Sequence, residues 1–426
     1  MSKSTYWYGS SPKSWESTKV KLLFKVKNGG TPKSEVREYW DENGLTWFTP
    51  EDVSKEGKNI NDSKRKISIL GMENSSANFV EPYSLVLSTR APIGNLKLST
   101  VKFTTNQGCK SLEGNSNVDM DYYYYFFSIT KEYLNSLGQG TTFLELSNSA
   151  LKNIEVPLPD LNTQKAIANF LNKKTETIDG LIQAKIKLIE LLGEKRQSMI
   201  TEAITKGLTP NVKMKDSGVE WIGKIPESWN IKKIKYKFDI RKVIQSNEEP
   251  IVLSLTQKGI KVKNLKDFSG QHAESYDKYQ QVEINDYVMN GMDLLTGYVD
   301  CAKFEGVTSP DYRVFRLKYP EECHDYYLRY FQMCYFAKIF YGHGQGVSHF
   351  GRWRLQTDVF KGFPIPEPPI DEQFEISKYL NEKEIEINEV IEMIRVQIQN
   401  LKDYRQSLIY EAVTGKIDVR DFEVEA

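Results

Sequence analysis

This chain has little cysteine, no long apolar run and no net charge, and each shortage narrows what it can be. Four cysteines in 426 residues (Cys109, Cys301, Cys323, Cys334) are too few for a disulfide framework and point to a reducing cytoplasm. No apolar stretch approaches 18 residues, so no membrane-spanning helix is expected. The opening MSKSTYWYGSSPKSW lacks the apolar core of a signal peptide. The 57 basic and 57 acidic side chains cancel, which at first argues against a polyanionic partner. The cancellation is uneven: residues 366–426 carry 7 basic against 15 acidic side chains, and the remaining body is mildly basic. Such a body permits nucleic-acid binding without being its signature.

Catalytic motifs are missing as well. A phosphate loop, G-x-x-x-x-G-K-[ST], does not occur; in the nearest approach, GVEWIGKI, Ile225 stands where a hydroxyl would hold magnesium. An adenine methyltransferase would need an Asn/Asp-Pro-Pro-aromatic stretch to grip a flipped base, and the chain has none. Glu51-Asp52 with Glu56-Gly57-Lys58 crowds carboxylates beside a lysine and reads as a solvated charge run. His343 and His349, or Cys323-His324 and Cys334, do not form the pair-and-pair pattern of a zinc site. No cofactor and no metal are expected in this chain, and its cysteines are expected to pack as small hydrophobes.

What the sequence does have is a duplication. EKRQSMITEAITKG, Glu194 to Gly207, returns 209 positions later as DYRQSLIYEAVTGK, Asp403 to Lys416. At the same offset Pro157-Leu-Pro159 meets Pro366-Glu-Pro368, Gln164 meets Gln373 and Leu171-Asn172 meets Leu380-Asn381. A period this long excludes a solenoid and indicates two domain-sized copies. Within each copy apolar residues recur at three, four or seven: Ile167, Leu171, Ile178, Ile182, Ile189, Leu192, Met199, Ala203, and then Ile376, Leu380, Ile387, Ile391, Ile394, Ile398, Leu401, Leu408, Ala412. That seam predicts two long helices that pair with each other. Asn162 and Asp371 are the expected N-caps and Gly207 and Gly415 the stops. Gly180 and Gly193 are points where the first helix could break.

The intervening segments repeat more faintly. Pro12-Lys-Ser-Trp15 resembles Pro226-Glu-Ser-Trp229, and Gly138 to Gly140 resembles Gly344 to Gly346. Short β-branched and aromatic stretches between Gly, Asn, Asp and Pro predict mixed, strand-rich domains. The class is α+β, with domains at 1–157 and 210–365, long helical segments at 158–209 and 366–420, and a tail at 421–426.

Basic and amide side chains on loops are the chemistry that could read a duplex. In the first domain the candidates are Lys64, Arg65, Lys66, Arg90, Asn95, Gln107 and Lys110, with Lys97 and Asn106 nearby. In the second they are Gln257, Lys258, Lys261, Lys263, His343, Gln345, His349, Arg352 and Arg354, the last five from the glycine-rich stretch GHGQGVSHFGRWR. The tyrosine- and phenylalanine-rich runs 122–127 and 326–336 have the look of stacking platforms, but their spacing predicts buried helices.

PLPDLNTQKAIANFL and PPIDEQFEISKYL, the two RQS helix ends, and the SPKSW and IPESW starts, in order and in duplicate, resemble the specificity subunit of Type I restriction–modification systems. The resemblance covers nearly the whole chain. It implies two target-recognition domains held apart by an antiparallel coiled-coil pair, and a double-stranded DNA target of two half-sites with a fixed unread spacer. It also implies two modification subunits as partners, with restriction subunits as well. S-adenosylmethionine, ATP and Mg2+ would belong to those partners. Asn162-Thr163-Gln164 departs from the Glu-Gln pair usual in the family and kept at Glu372-Gln373, so equal contacts at the two helix starts are not assured. The competing readings are a self-contained DNA-recognising nuclease, against which the missing motifs argue, and a coiled-coil adaptor with no DNA role.

Overall fold

The two expected rods are single helices, Leu161–Lys206 with 46 residues and Ile370–Val413 with 44. At 1.5 Å per residue each is about 65–70 Å long. The computed structural model that shows them describes residues 7–9, 11–140, 144–244, 250–264, 275–346 and 353–419. Gly180 and Gly193 do not interrupt the first helix: both lie within it. A Cβ at either would meet nothing beyond its own stretch of helix within 4 Å. Among the described residues no helix is long and apolar enough to cross a membrane.

Contacts divide the chain into two compact units, Met1–Lys185 with Val396–Ala426, and Ile186–Arg395. Each unit therefore owns one globular segment, half of the first rod and half of the second. In the first unit Arg405 Nε lies 2.9 Å from Asp179 Oδ1, and Lys185 Nζ donates to Gln397 Oε1 at 2.6 Å. The partner number falls as the first number rises, so these halves run antiparallel. In the second unit Arg196 sits 3.9 Å from Glu384. Ile167, Leu171, Ile178 and Ile182 bury against the first unit's core together with Leu408 and Ala412. Ala203, Ile376 and Leu380 bury in the second. Ile189, Leu192 and Met199 are only half-buried, whereas the seam residues Ile387, Ile391 and Ile394 of the second rod are buried. Leu181 and Tyr404 in one unit, and Leu188, Leu191, Ile385 and Met393 in the other, remain exposed.

The helix starts differ from expectation. Asp160, not Asn162, caps the first: its carboxylate accepts from Thr163 N at 3.0 Å and from Thr163 Oγ1 at 2.6 Å. Asp371 lies inside the first turn of the second helix rather than ahead of it, where the positive end of the helix dipole favours a carboxylate. The stops are as expected. Gly207 has φ +75° and Gly415 φ +72°, the left-handed conformation that ends helices. Each stop is packed by a tryptophan. A Cβ on Gly415 would lie 2.9 Å from Trp15 Cη2, and one on Gly207 would lie 3.1 Å from Trp229 Cζ2.

Both globular segments carry a four-stranded antiparallel sheet of one topology. In the first unit the order is Phe24–Asn28, Cys109–Gly114, Ser84–Ser88, Leu96–Ser99; in the second it is Phe238–Arg241, Arg313–Leu317, Tyr287–Met289, Val299–Cys301. The proline runs leading into the rods are edge strands: Glu155–Leu158 pairs with Glu16–Lys19, and Pro364–Glu367 with Asn230–Lys233. An edge suits proline, which has no N–H to give a neighbour. Around this frame the contents diverge. The first unit adds a sheet of Lys66–Ile67, Trp40–Phe48 and Thr104–Thr105, and the second adds the hairpin Leu253–Thr256/Gly259–Val262 and the pair Gln280–Val282/Gly306–Thr308.

The aromatic runs are buried helices, Met120–Ser128 and His324–Phe336, and not stacking platforms. Tyr122, Tyr123, Phe126 and Phe127 are fully buried, as are Tyr326, Tyr327, Tyr330 and Phe331. Their polar tips find partners, as buried phenols require: Tyr122 donates to Val413 O at 3.0 Å and Tyr326 to Ile204 O at 3.3 Å. Three of the four cysteines are buried in apolar clusters, Cys109 in one and Cys323 and Cys334 in another.

The two rod starts share one contact and differ in another. Gln164 accepts from Asp119 N at 2.8 Å and donates to Pro159 O at 2.8 Å. Gln373 likewise accepts from Cys323 N at 3.1 Å and donates to Pro368 O at 3.1 Å. Asp119 and Cys323 are the N-caps of the two aromatic helices, so each glutamine ties a rod to its aromatic helix. Glu372, by contrast, accepts from Trp229 Nε1 at 2.8 Å, while Thr163 at the matching place bonds to Asp160.

Candidate nucleic-acid interface

The sequence candidates separate into those that a pocket gathers and those that it does not. In the first unit Arg90, Gln107 and Lys110 line one pocket together with Asn28, Gln139 and Glu145. Strand register places Lys110, which sits opposite Leu87. Its residue is 5% exposed, and burial lowers the pKa of its amine, partly offset by Glu145. Glu145 stands between two cations, 3.0 Å from Arg90 Nε and 4.0 Å from Lys110 Nζ. Gln107 accepts a hydrogen bond from Thr31.

The other first-unit candidates are occupied elsewhere. Lys64 pairs with Glu51 at 3.1 Å and Lys66 with Asp62 at 3.1 Å, exposed or partly exposed pairs that add little stability. Arg65 lies over the Trp40 ring at 3.5 Å, a cation–π stack. Asn95 accepts from Lys131 at 2.9 Å. Lys97 is buried and donates to Gly57 O, and Asn106 holds its own turn through Gly108 N at 3.0 Å. The loop read as a solvated charge run is partly structural. Asp52 is 1% exposed and closes a capping box with Thr49, and Lys58 pairs with Asp121.

In the second unit a pocket gathers Arg241, Lys242, Gln280, Arg313, Arg354 and Gln356. Gln345 and Arg354 form a backbone pair, N to O in both directions at 3.0 and 2.9 Å, and Gln356 donates to Gln345 Oε1 at 2.7 Å. His343 Nδ1 lies 3.0 Å from Ile339 O. His349 and Arg352 lie outside the described residues. Gln257, Lys258, Lys261 and Lys263 sit on or beside the hairpin centred on Gln257-Lys258 and do not line this pocket. Gln257 donates to Thr296 O at 3.3 Å.

Arg313 was not legible in the sequence, since RVFRL reads as an ordinary strand. It sits opposite Met289, its guanidinium donates to Leu355 O at 2.8 Å and lies 4.4 Å over Phe360. Burial pulls its pKa down to about 10. Behind it Arg241 and Arg316 share Glu283 and Asp286 in a closed four-residue network at 2.7–3.3 Å. Among the described residues neither Arg313 nor Arg354 has a carboxylate at ion-pair distance. No group of three or more His, Cys, Asp or Glu that could hold a metal ion occurs among them either.

Gln139 and Glu145 were also missed, although Gly138-Gln139-Gly140 repeats Gly344-Gln345-Gly346 letter for letter. Gln139 and Glu145 form the same two-way backbone pair, at 3.0 Å each way. The following residue is placed alike as well: Leu146 N donates to Thr89 O at 2.9 Å and Leu355 N to Gly291 O at 3.0 Å. Each pocket thus has a strand cation, Lys110 or Arg313, beside a residue, Glu145 or Arg354, whose backbone pairs with a glutamine at the matching position of one frame.

A family model described as the Type I restriction modification DNA specificity domain matches residues 12–191 and again residues 226–400. The chain is 29% identical over 292 residues to the Type I restriction enzyme MjaIX specificity subunit of Methanocaldococcus jannaschii, a match covering 66% of this chain and 64% of that subunit. It is 25% identical over 359 residues to the MjaVIII specificity subunit of the same organism, covering 79% of each. The first of these matches spans less than two thirds of its relative's length. Among solved structures, a chain from work on complex assembly and conformational transition of the type I R-M system superposes with a TM-score of 0.69. That match has 13% identity and covers 96% of this chain and 100% of that one. The HsdS subunit from Thermoanaerobacter tengcongensis gives 0.53 at 14% identity, covering 98% and 100%. These likenesses concern the fold, and the two family matches fall one on each copy of the repeated frame, so this chain belongs to the family of Type I restriction–modification specificity subunits.

Proposed function

We propose that this chain is the non-catalytic, sequence-reading subunit of a Type I restriction–modification complex, and that its two globular segments read two different half-sites separated by an unread spacer. The observation that carries this is one frame built twice with different pockets: the same sheet order, the same glutamine ties and the same glutamine backbone pair, but Lys110 with Glu145 in one and Arg313 with Arg354 in the other. A duplicated frame gives each pocket the same approach to a duplex, and differing side chains give it a different preference.

The rods are the natural scaffold. Their exposed apolar side chains, among them Leu188, Leu191, Ile385 and Met393, form surfaces of the kind that partners cover. Two modification subunits would dock on the duplicated helices, bringing S-adenosylmethionine and the methyl transfer. Restriction subunits would bring ATP-driven translocation and Mg2+-dependent cleavage. The whole assembly would work in the cytoplasm.

The test is to express the chain with its modification subunit and sequence the host DNA for methylated motifs. A two-part motif with a constant gap supports the reading. Methylation of a single continuous motif, or methylation or cleavage by the scrupulously pure lone chain supplied with S-adenosylmethionine or magnesium, refutes it.

A further inference from the structure

The two pockets occupy equivalent places yet carry opposite charge at one position. Lys110 faces Leu87 across its ladder as Arg313 faces Met289, so the strand cation is common to both. Glu145 and Arg354 are also equivalent, because each makes a two-way backbone pair with its glutamine and precedes a leucine tied to the matching strand end. The swap at this position changes what each pocket can offer. In the first, Glu145 supplies acceptor oxygens steadied by Arg90 and Lys110. In the second, Arg354 and Arg313 supply only donors; Asp311 lines the same pocket, and among the described residues it makes no ion pair with either arginine.

We propose that Glu145 and Arg354 are the matching base-reading residues of the two half-sites, Glu145 accepting from the exocyclic amine of a cytosine or adenine and Arg354 donating to the N7 and O6 of a guanine. Base edges in the major groove differ in this donor and acceptor pattern, and carboxylates and guanidinium groups are the side chains that match its two extremes. Arg313 acts as a positioning residue: pinned by Leu355 O and Phe360, it holds the segment Arg354-Leu355-Gln356 that carries the reading arginine. Lys110 and Arg90 hold the Glu145 carboxylate in one orientation. This inference rests on the functional reading above and goes beyond it by assigning a base class to each pocket.

The experiment uses the full chain in complex with its modification subunit and a pool of duplexes randomised over the target, with retained molecules sequenced. Wild type, Glu145→Gln and Arg354→Gln are compared. Glu145 is about two-fifths exposed and Arg354 is exposed, so neither change threatens folding. The expected result is that each variant relaxes one letter of one half-site, and that the two letters lie in different half-sites. The lost preference should be about tenfold or more. Unchanged letters in both variants, relaxed letters in the same half-site, or a uniform loss of binding across all sequences would each overturn the assignment. In those cases a wild-type complex that still selects a two-part sequence leaves the functional reading standing. A wild-type complex that selects no sequence overturns both.

Discussion

The Tyr122 phenol donates to the backbone carbonyl of Val413 at 3.0 Å, across 291 residues of sequence. Its counterpart Tyr326 reaches Ile204 O at 3.3 Å, sharing its proton with Pro366 O at 3.1 Å. The Val413 and Ile204 carbonyls belong to the last turns of rods, where no N–H four residues on can satisfy them from within the helix. Replacing Tyr122 by phenylalanine keeps the ring and strands a buried acceptor, at a cost of about 1–3 kcal/mol. Denaturant unfolding followed by fluorescence should show that loss, and a midpoint equal to wild type would mean that the bond does not matter.

The glycines of the rods divide into two kinds, and alanine should tell them apart. At Gly180, mid-helix with open space around it, alanine should stabilise by about 0.5–1 kcal/mol. At Gly415, φ is +72° and a Cβ would lie 2.5 Å from Pro12 Cδ. There alanine should destabilise by about 1–2 kcal/mol through the left-handed backbone alone, and by more through the clash. Thermal midpoints moving in the same direction would contradict this account.

Acid should weaken the second unit through Glu283. Hydrogen bonds from Arg241 and then Arg316 lower its pKa from 4.5 to about 2. A folded value below the unfolded one means that the contribution is whole above pH 4.5 and is lost as pH falls through about 2. The difference in thermal midpoint between wild type and Glu283→Gln should be constant above about pH 5 and shrink between pH 4.5 and 2. A difference that is flat across that window would show that the network does not hold the charge.

If the rods set the spacer of the target, a heptad added to both should lengthen it. Seven residues add about 10 Å, the rise of roughly 3 bp. Antiparallel pairing decides where the heptad must go. Insertion ahead of Arg196 and ahead of Arg405, the repeat-equivalent points, keeps each seam in phase but would part Arg196 from Glu384 and Arg405 from Asp179. Insertion after Lys185 and after Arg395, where one unit gives way to the other, leaves the contacts inside each unit intact. The methylated motif should keep its letters and gain a few unread positions. Changed letters with an unchanged gap would sink the model.

The rods, their glycine stops and the buried aromatic helices were legible in the sequence because each is a local or periodic signal. Spacing alone gave the seam, though Ile189, Leu192 and Met199 are half-buried where Ile387, Ile391 and Ile394 on the second rod are buried. The caps were misplaced by a few positions because Asp160 and Asn162 are chemically alike, and only the backbone decides which of them precedes the first turn. The pockets were half legible. Loop residues such as Arg90, Gln107, Gln345 and Arg354 stand out by type and setting, whereas Arg313 sits in an apolar strand and becomes notable only when the fold sets it beside Leu355, 42 residues away. Lys97 shows the opposite failure, a lysine in a loop-like stretch that strand pairing turns inward.

The first unit is closed by Leu408, Ile409, Ala412 and Val413, which its own amino-terminal segment must await as the chain is made. Between Lys185 and Val396 a ribosome spends roughly 10–40 s at about 5–20 residues per second. During that interval the newborn first domain lacks its closing helix and shows the apolar faces of Ile167, Leu171 and Tyr122 to whatever is near. The second domain has no such delay, because the rod half that precedes it, Ile186–Lys206, has already emerged and the half that follows comes immediately. Translation order therefore makes two architecturally matched domains unequal in their exposure to chaperones and proteases, and the earlier-made one is the more vulnerable.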